Sequence, residues 1–395
     1  MDGFPMPGSG ASSNTNLAIC ALVPNEWTGR PPNADRKSAR QSEGSEKRWR
    51  SDGQVMDTIT KRLVRTGFAL LTVALLAAVG CSGEESSLKS VTFMAGFKPQ
   101  ANLPFVAAYV AQEKGYFREQ GLDVDIRHST GQHLTLLISG DVDFTTADAN
   151  SVLKRRSDPG LPIRAIALFG QRGQQAFIAL EESGIRTPED WEGKTFGYKI
   201  SVPPDYLAIL EASGVDRSKI QEVRVGFDPR VLTEKQVDLL AVFKSNEPDT
   251  LRRLGFGVTV FDAADFGVPT LGLTFITREE FIDADPDTVT RFVKATMKGL
   301  EFAFENTEET LDIVMKFAEN EDREHMRFML LTEREDAESL LTRGNGLGWM
   351  TTEQWQALHD SLLAHKALEN PVDVRQAFTT RFLEQIYDGG NLIWP

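Results

Sequence analysis

Between residues 90 and 150 apolar runs of two different periods alternate, and this alternation leaves few folds open. SVTFMAGF reads as a strand. After a loop at 97–102, PFVAAYVAQEKGYFREQ brings Phe105, Ala108, Tyr109 and Gln112 near one helical face. Pro104 suits the first turn of that helix, where its missing N–H is not needed. Residues 122–127 form the next strand, LTLLISG a short helix, and VDFTTAD a strand running into a loop. Strand, helix, strand, helix, strand is the order of an α/β fold built on a parallel sheet.

RAIALF and QAFIAL continue as strands, and at EESGIRTPEDWEGKTFGYKIS the pattern starts afresh. A short helix at Thr187-Pro188, a strand at 194–198, the helix DYLAILEASG and the strands EVRVGF, DLLAVF and GVTVFD make a second, smaller α/β lobe at 186–270. TLGLTFITREEFI returns the chain to the first lobe, and from Asp285 the pattern is almost purely helical, without a repeat. The expected organisation is lobe one at 90–185 plus 271–395 and lobe two at 186–270. Two lobes joined by two crossings form a hinged clamp. Its ligand is expected beyond the carboxyl ends of the strands, enclosed when the lobes close.

Charge narrows the partners. The net charge of -14 divides into about +3 before Cys81 and -17 from it onward. So acidic a body argues against nucleic acid, whose phosphates need clustered Lys and Arg.

The segment ahead of the body reads differently. Residues 67–80 are almost wholly apolar, and Lys61, Arg62 and Arg65 precede them. Fourteen residues are short of the roughly 20 that a helix needs to span a bilayer. They suit the core of a signal peptide, which then covers 56–81. The run stops at Cys81 in a stretch that resembles a bacterial lipobox, with Ala78 where Leu is usual. Cys81 is the expected lipidation site, and 82–89 the tether. The chain has two cysteines, Cys20 and Cys81, so no disulfide is expected within the body. Residues 1–55 have a disordered composition. They are read as an extension upstream of a translation start at Met56, the alternative being a disordered leader.

GYFREQGLDVDI, GDVDFTTADA, SGIRTPEDWEGKTFGY and the C-terminal TTEQWQALHDSLLAHKALENPVDVRQAFTTRFL occur in the order found in periplasmic solute-binding proteins. From about residue 90 the chain resembles their thiamine-pyrimidine and alkanesulfonate group (NMT/THI-like). The resemblance implies a two-lobe periplasmic-binding-protein-like clamp of type II with a helical C-terminal part. It implies a small-molecule ligand passed to the permease and ATPase subunits of an ABC importer, at the extracytoplasmic side of a membrane. KPQANLPF has no His after Asn102 where pyrimidine binders commonly have Asn-x-x-His. With GQRGQQAF it looks closer to the riboflavin-binding branch.

Candidate ligand residues follow from position. Gln100 and Asn102 lie in the loop after the first strand, and their amides suit the edge of a neutral heterocycle. Phe105 opens the first helix. Thr145 and Asp148 end the VDF strand, where a hydroxyl either caps a helix or meets ligand. Arg172 and Gln174 follow RAIALF. Tyr206 and Phe227 offer stacking faces for a flat ring, unless core packing takes them. The resemblance suggests Phe243, Asn246 and Glu247 in VFKSNEPD, with Glu247 either accepting from an amine or remaining a solvated surface acid. Phe266 lies near the return crossing as hinge or wall. Few basic residues beyond Lys98, Arg172 and Lys244 occupy these loops, which disfavours a sulfonate.

Catalytic patterns are scarce. The five histidines form no HExxH or HxH, and neither GxSxG nor a Walker A sequence occurs. No cofactor and no metal are expected. The rival readings are a pyrimidine-synthesising enzyme of the same fold and an alkanesulfonate-type binding protein.

Overall fold

The computed structural model describes residues 88–395; Cys81, the signal segment and 1–55 lie outside them. The first sheet begins with β1 (Lys89–Ala95), which continues through α1 (Leu103–Glu113) into β2 (Leu122–His128). β3 (Phe144–Asp148), α2 (Ala149–Ser157) and β4 (Ile163–Leu168) follow. The helix expected to run unbroken from 104 to 120 ends at Lys114, because Gly115 takes a left-handed φ of 81°.

The second sheet contains β5 (Gln175–Leu180) and β6 (Thr195–Tyr198), the latter leading into α3 (Pro204–Ser213). β7 (Gln221–Arg224), β8 (Leu239–Phe243), α4 (Glu247–Arg253) and β9 (Val258–Asp262) complete that lobe. β10 (Leu273–Arg278) rejoins the first sheet, and the C-terminal helices include α5 (Pro286–Glu305), α6 (Arg323–Ala337) and α7 (Thr352–Ala364).

The strand orders are β2-β1-β3-β10-β4 and β7-β6-β8-β5-β9, two mixed sheets of a bilobed clamp. Each sheet has one reversed strand, β10 and β5, antiparallel to both neighbours. The crossings explain this. β4 and β9 end at the edge facing the other lobe, so the strand that enters the next lobe starts at that edge and runs away from it. The chain leaves the first sheet after Leu168, earlier than residue 186, because QAFIAL pairs with β8 and β9. Locally QAFIAL and RAIALF are equivalent apolar runs, and only their pairing partners distinguish them.

Lobe one packs around phenylalanines. Phe144 stacks on Phe292 of α5 at 4.0 Å, and Phe275 meets Phe93 edge-on at 5.3 Å. Lobe two has its own core, in which Phe196, Tyr206 and Trp191 pack with no exposed surface to speak of. Among the described residues no helix is long and apolar enough to cross a membrane.

The crossings touch each other. The Gly272 N–H donates to the Gly170 carbonyl at 2.8 Å, and the Phe169 N–H to that of Leu273 at 2.8 Å. A Cβ on Gly272 would stand 2.8 Å from the Gly170 Cα, so the two strands approach this closely only as glycines. Gly272→Ala is expected to force the crossings apart and cost about 1–3 kcal/mol, read as a lower urea midpoint at unchanged slope.

Candidate functional site

With both crossings at one edge of each sheet, the loops after β1, β3, β4, β6, β8 and β9 all face the gap between lobes. Surface depressions beside Gly140 and Arg278, and beside Leu180 and Lys194, sit at the opposite edges, remote from the crossings. The gap is therefore where side chains from both lobes can act on one molecule.

A third element enters it. Asp322 caps α6 by accepting from the His325 N–H at 2.9 Å. Glu333 and Asp336 lie three apart on this helix, hence on one face. Glu333 is buried and accepts from the Asn102 side chain at 2.5 Å, the Leu103 N–H at 2.8 Å and the Ser245 hydroxyl at 3.2 Å. Asn102 and Leu103 belong to lobe one and Ser245 to lobe two. Asp336 accepts from Gln174 of the crossing at 2.6 Å and from Lys244 of lobe two at 2.7 Å. At the other end of α6, His325 meets Asp249 at 2.6 Å and Asn246 at 3.0 Å. Helix α6 thus straps the lobes together.

Lys244 also donates to Asp262 at 2.5 Å, so one buried ammonium lies between two carboxylates. Arg172 pairs with Asp262 at 2.9 Å and Asp265 at 2.6 Å. Buried charges of this kind persist only when paired. Burial pushes the Glu333 carboxyl up to about 7, against hydrogen bonds that favour its charged form. Burial also pushes Asp336 up to about 6, against the pull of Lys244.

The expected ligand residues divide by fate. Gln100 and Asn102 are in the gap, joined to each other as well as to Glu333. Gln174 is there with its amide oxygen buried and unpartnered, and so is Arg172, with its Nε in the same state. Asp148 ends β3 and caps α2 through the Ser151 N–H at 2.8 Å. Phe227 and Phe243 present open rings, 68% and 53% exposed, with the Lys199 ammonium 5.7 and 5.9 Å from their centroids. Asn246 receives His325.

Other expected residues are used within a lobe. Phe105 is buried in the lobe-one core beside His128. The Thr145 hydroxyl donates to the Met94 carbonyl inside the sheet. Tyr206 stacks on Phe196 at 4.0 Å and is wholly buried, so its ring gives no ligand face. Phe266 packs against the lobe-two core. Glu247 is not a solvated acid: it is buried, pairs with Lys199 and accepts from the Phe243 N–H at 2.9 Å.

Glu333 and Asp336 did not figure among the sequence candidates. Their only signal is two acids three apart in EREDAES, which a solvated helix face shows equally.

A family model described as NMT1/THI5 like matches residues 102–310, more than half of the chain. The chain belongs to the NMT1/THI5-like family. It is similar to the formylaminopyrimidine-binding protein of Halalkalibacterium halodurans, 28% identical over 78% of this chain and 97% of that one. It is likewise similar to the riboflavin-binding protein RibY of Chloroflexus aurantiacus, 29% identical over 76% of this chain and 87% of that one. Among solved structures, the aliphatic sulphonate binding protein SsuA of Escherichia coli superposes with a TM-score of 0.60. That match spans 75% of this chain and 99% of SsuA at 13% identity, a likeness of fold. As an NMT1/THI5-like member the chain is a solute-binding protein that captures a small organic ligand for ABC import. Membership carries an extracytoplasmic location with it. Among the described residues no His, Cys, Asp and Glu cluster could hold a metal ion.

The buried acids of this NMT1/THI5-like clamp make its stability depend on pH. Glu333 and Asp336 bind protons more tightly folded than unfolded. Between the ordinary carboxylate range and about 7 the folded state therefore holds more protons, and stability falls as pH rises. The melting temperature by circular dichroism is expected to be higher at pH 6 than at pH 8, with a smaller difference in Glu333→Gln.

Proposed function

We propose that the chain is the receptor subunit of an importer for a flat, uncharged nitrogen heterocycle, of the riboflavin or thiamine-pyrimidine type. One observation carries the reading: the basic side chains of the gap-facing loops are already neutralised. Lys98 pairs with Glu321, Arg172 with Asp262 and Asp265, Lys199 with Glu247, and Lys244 with Asp262 and Asp336. A sulfonate would have to break one of these pairs and leave a carboxylate uncompensated. A neutral ring with polar edges fits the amide groups of Gln100, Asn102 and Gln174, and the open faces of Phe227 and Phe243 suit stacking. The names of the two heterocycle-binding relatives point the same way.

Capture works through closure. The ligand favours the closed clamp only as far as it binds that state better than the open one. Delivery to permease and ATPase partners follows from the family role.

Titration of the purified full-length chain in detergent with riboflavin, formylaminopyrimidine and butanesulfonate tests the ligand class. One heterocycle is expected to bind with micromolar or better affinity and raise the melting temperature by several degrees, the sulfonate leaving it unchanged. Binding of the sulfonate alone would remove the reading.

We also propose that Cys81 carries the lipid that holds the clamp at the membrane, with 82–89 as tether. Several buried acyl chains give stable anchoring at about 0.8 kcal/mol per CH₂. Cys81→Ser is expected to move the protein from the membrane to the soluble fraction. Retention in the membrane would refute the anchor.

A further inference from the structure

Helix α3 starts at the gap-facing end of β6, where helix N-termini in open α/β sheets serve anions. This one is unsuited to an anion. Pro203 is its N-cap and Pro204 its first residue, so two N–H donors are missing. The next residue, Asp205, is 4% exposed. No donor among the described residues hydrogen-bonds its carboxylate, and its electrostatic neighbours include Asp148 at the end of β3 and Asp262 at the end of β9. An acid in a first helical turn is usually solvated. Here it is buried, with Asp148 and Asp262 disfavouring its charge and Lys154 and His365 favouring it, Lys154 acting more strongly than Asp262.

Two side-chain acceptors on gap-facing segments also lack partners, beside one unpartnered donor, the Arg172 Nε. The Gln174 amide nitrogen is committed to Asp336, which fixes its oxygen as a buried acceptor without a partner. The Asn150 side-chain oxygen, in the first turn of α2 two residues beyond Asp148, is likewise buried and unpartnered. Unsatisfied buried acceptors in a native protein call for an explanation, and a donor-bearing ligand is one. Burial drives the Asp205 carboxyl up to about 7, as expected of an acid awaiting a partner.

We propose that Asp205 is the specificity-determining group of the clamp. It accepts from an amino or ring N–H of the heterocycle and, with Pro203 and Pro204, turns anions away. The proposal rests on the heterocycle reading given above and adds to it the edge by which the ring is recognised.

The test uses the full-length chain, riboflavin and formylaminopyrimidine as probes, and Asp205→Asn with Asp205→Ser as the smaller second variant. The probe that binds the wild type is expected to bind each variant roughly 10- to 100-fold more weakly, the range for a hydrogen bond to a charged group. Both variants are expected to melt no lower than the wild type, because they replace a carboxyl that burial disfavours in its charged form. The probe's N-methylated analogue should bind the wild type as weakly as the probe binds Asp205→Asn. Undiminished probe binding by the variants would overturn the role of Asp205 while leaving the receptor reading intact. Sulfonate binding by the wild type without heterocycle binding would overturn both.

Discussion

The Glu333 carboxylate joins the two lobes. It lies between the first turn of α1, which supplies Asn102 and the Leu103 N–H, and Ser245 in the loop after β8. Two of its donors come from one lobe and one from the other. Separating the lobes removes Ser245 and readmits water. The carboxylate then loses a hydrogen bond but recovers solvation, so opening costs far less than the contact pattern alone suggests. Asp336 follows the same logic with larger charges, because Lys244 leaves with lobe two while Gln174 remains on the crossing. A strap built from buried acids is in this way reversible, whereas one built from apolar side chains would hold the lobes shut.

The crossings set how the lobes can move. Gly170 and Gly272 bring two backbone strands into direct contact, linked by hydrogen bonds at 2.8 Å. Rotation about that contact changes a few dihedral angles and leaves both sheets intact, as hinge closure requires. Helix α6 runs from the crossing, where Asp336 accepts from Gln174, out to Asp249 and Asn246 of lobe two, so the contacts at its His325 end change most as the gap opens. Any ligand that shifts this equilibrium must outweigh the re-solvation of Glu333, Asp336 and Lys244.

Much of this architecture was legible in the sequence. The alternation of periods gave the α/β class, the fresh start near 186 gave a second lobe, and the apolar stripes from Asp285 onward gave the C-terminal helices. What was not legible depends on pairing. QAFIAL belongs to the second sheet although its composition is that of RAIALF, because sheet membership is a matter of long-range partners. Gln100, Asn102, Arg172 and Gln174 lie at the gap-facing strand ends that their loop positions suggest, since strand ends are fixed by topology. Side-chain direction was harder: Tyr206 and Phe227 look alike as stacking candidates, yet one is core and the other is 68% exposed. Glu333 and Asp336 were hidden for a related reason. An acid on an amphipathic helix is solvated unless tertiary structure covers it, and here Asn102 and Leu103 of lobe one and Ser245 and Lys244 of lobe two together cover the acids of α6.

The charge pattern of the gap explains why fold alone does not choose a ligand here. Backbone topology places helix starts and strand ends around the same space in every clamp of this architecture, and that arrangement favours anions wherever N–H groups are free. This chain cancels the preference locally. Proline removes donors at the start of α3, an aspartate takes the place next to them, and each cation in the surrounding loops already has a carboxylate partner. A substitution at any of these positions alters electrostatics without altering the scaffold. Changes of ligand among proteins of this fold therefore need only a few residues at strand ends, and those residues, rather than overall similarity, are the ones to compare.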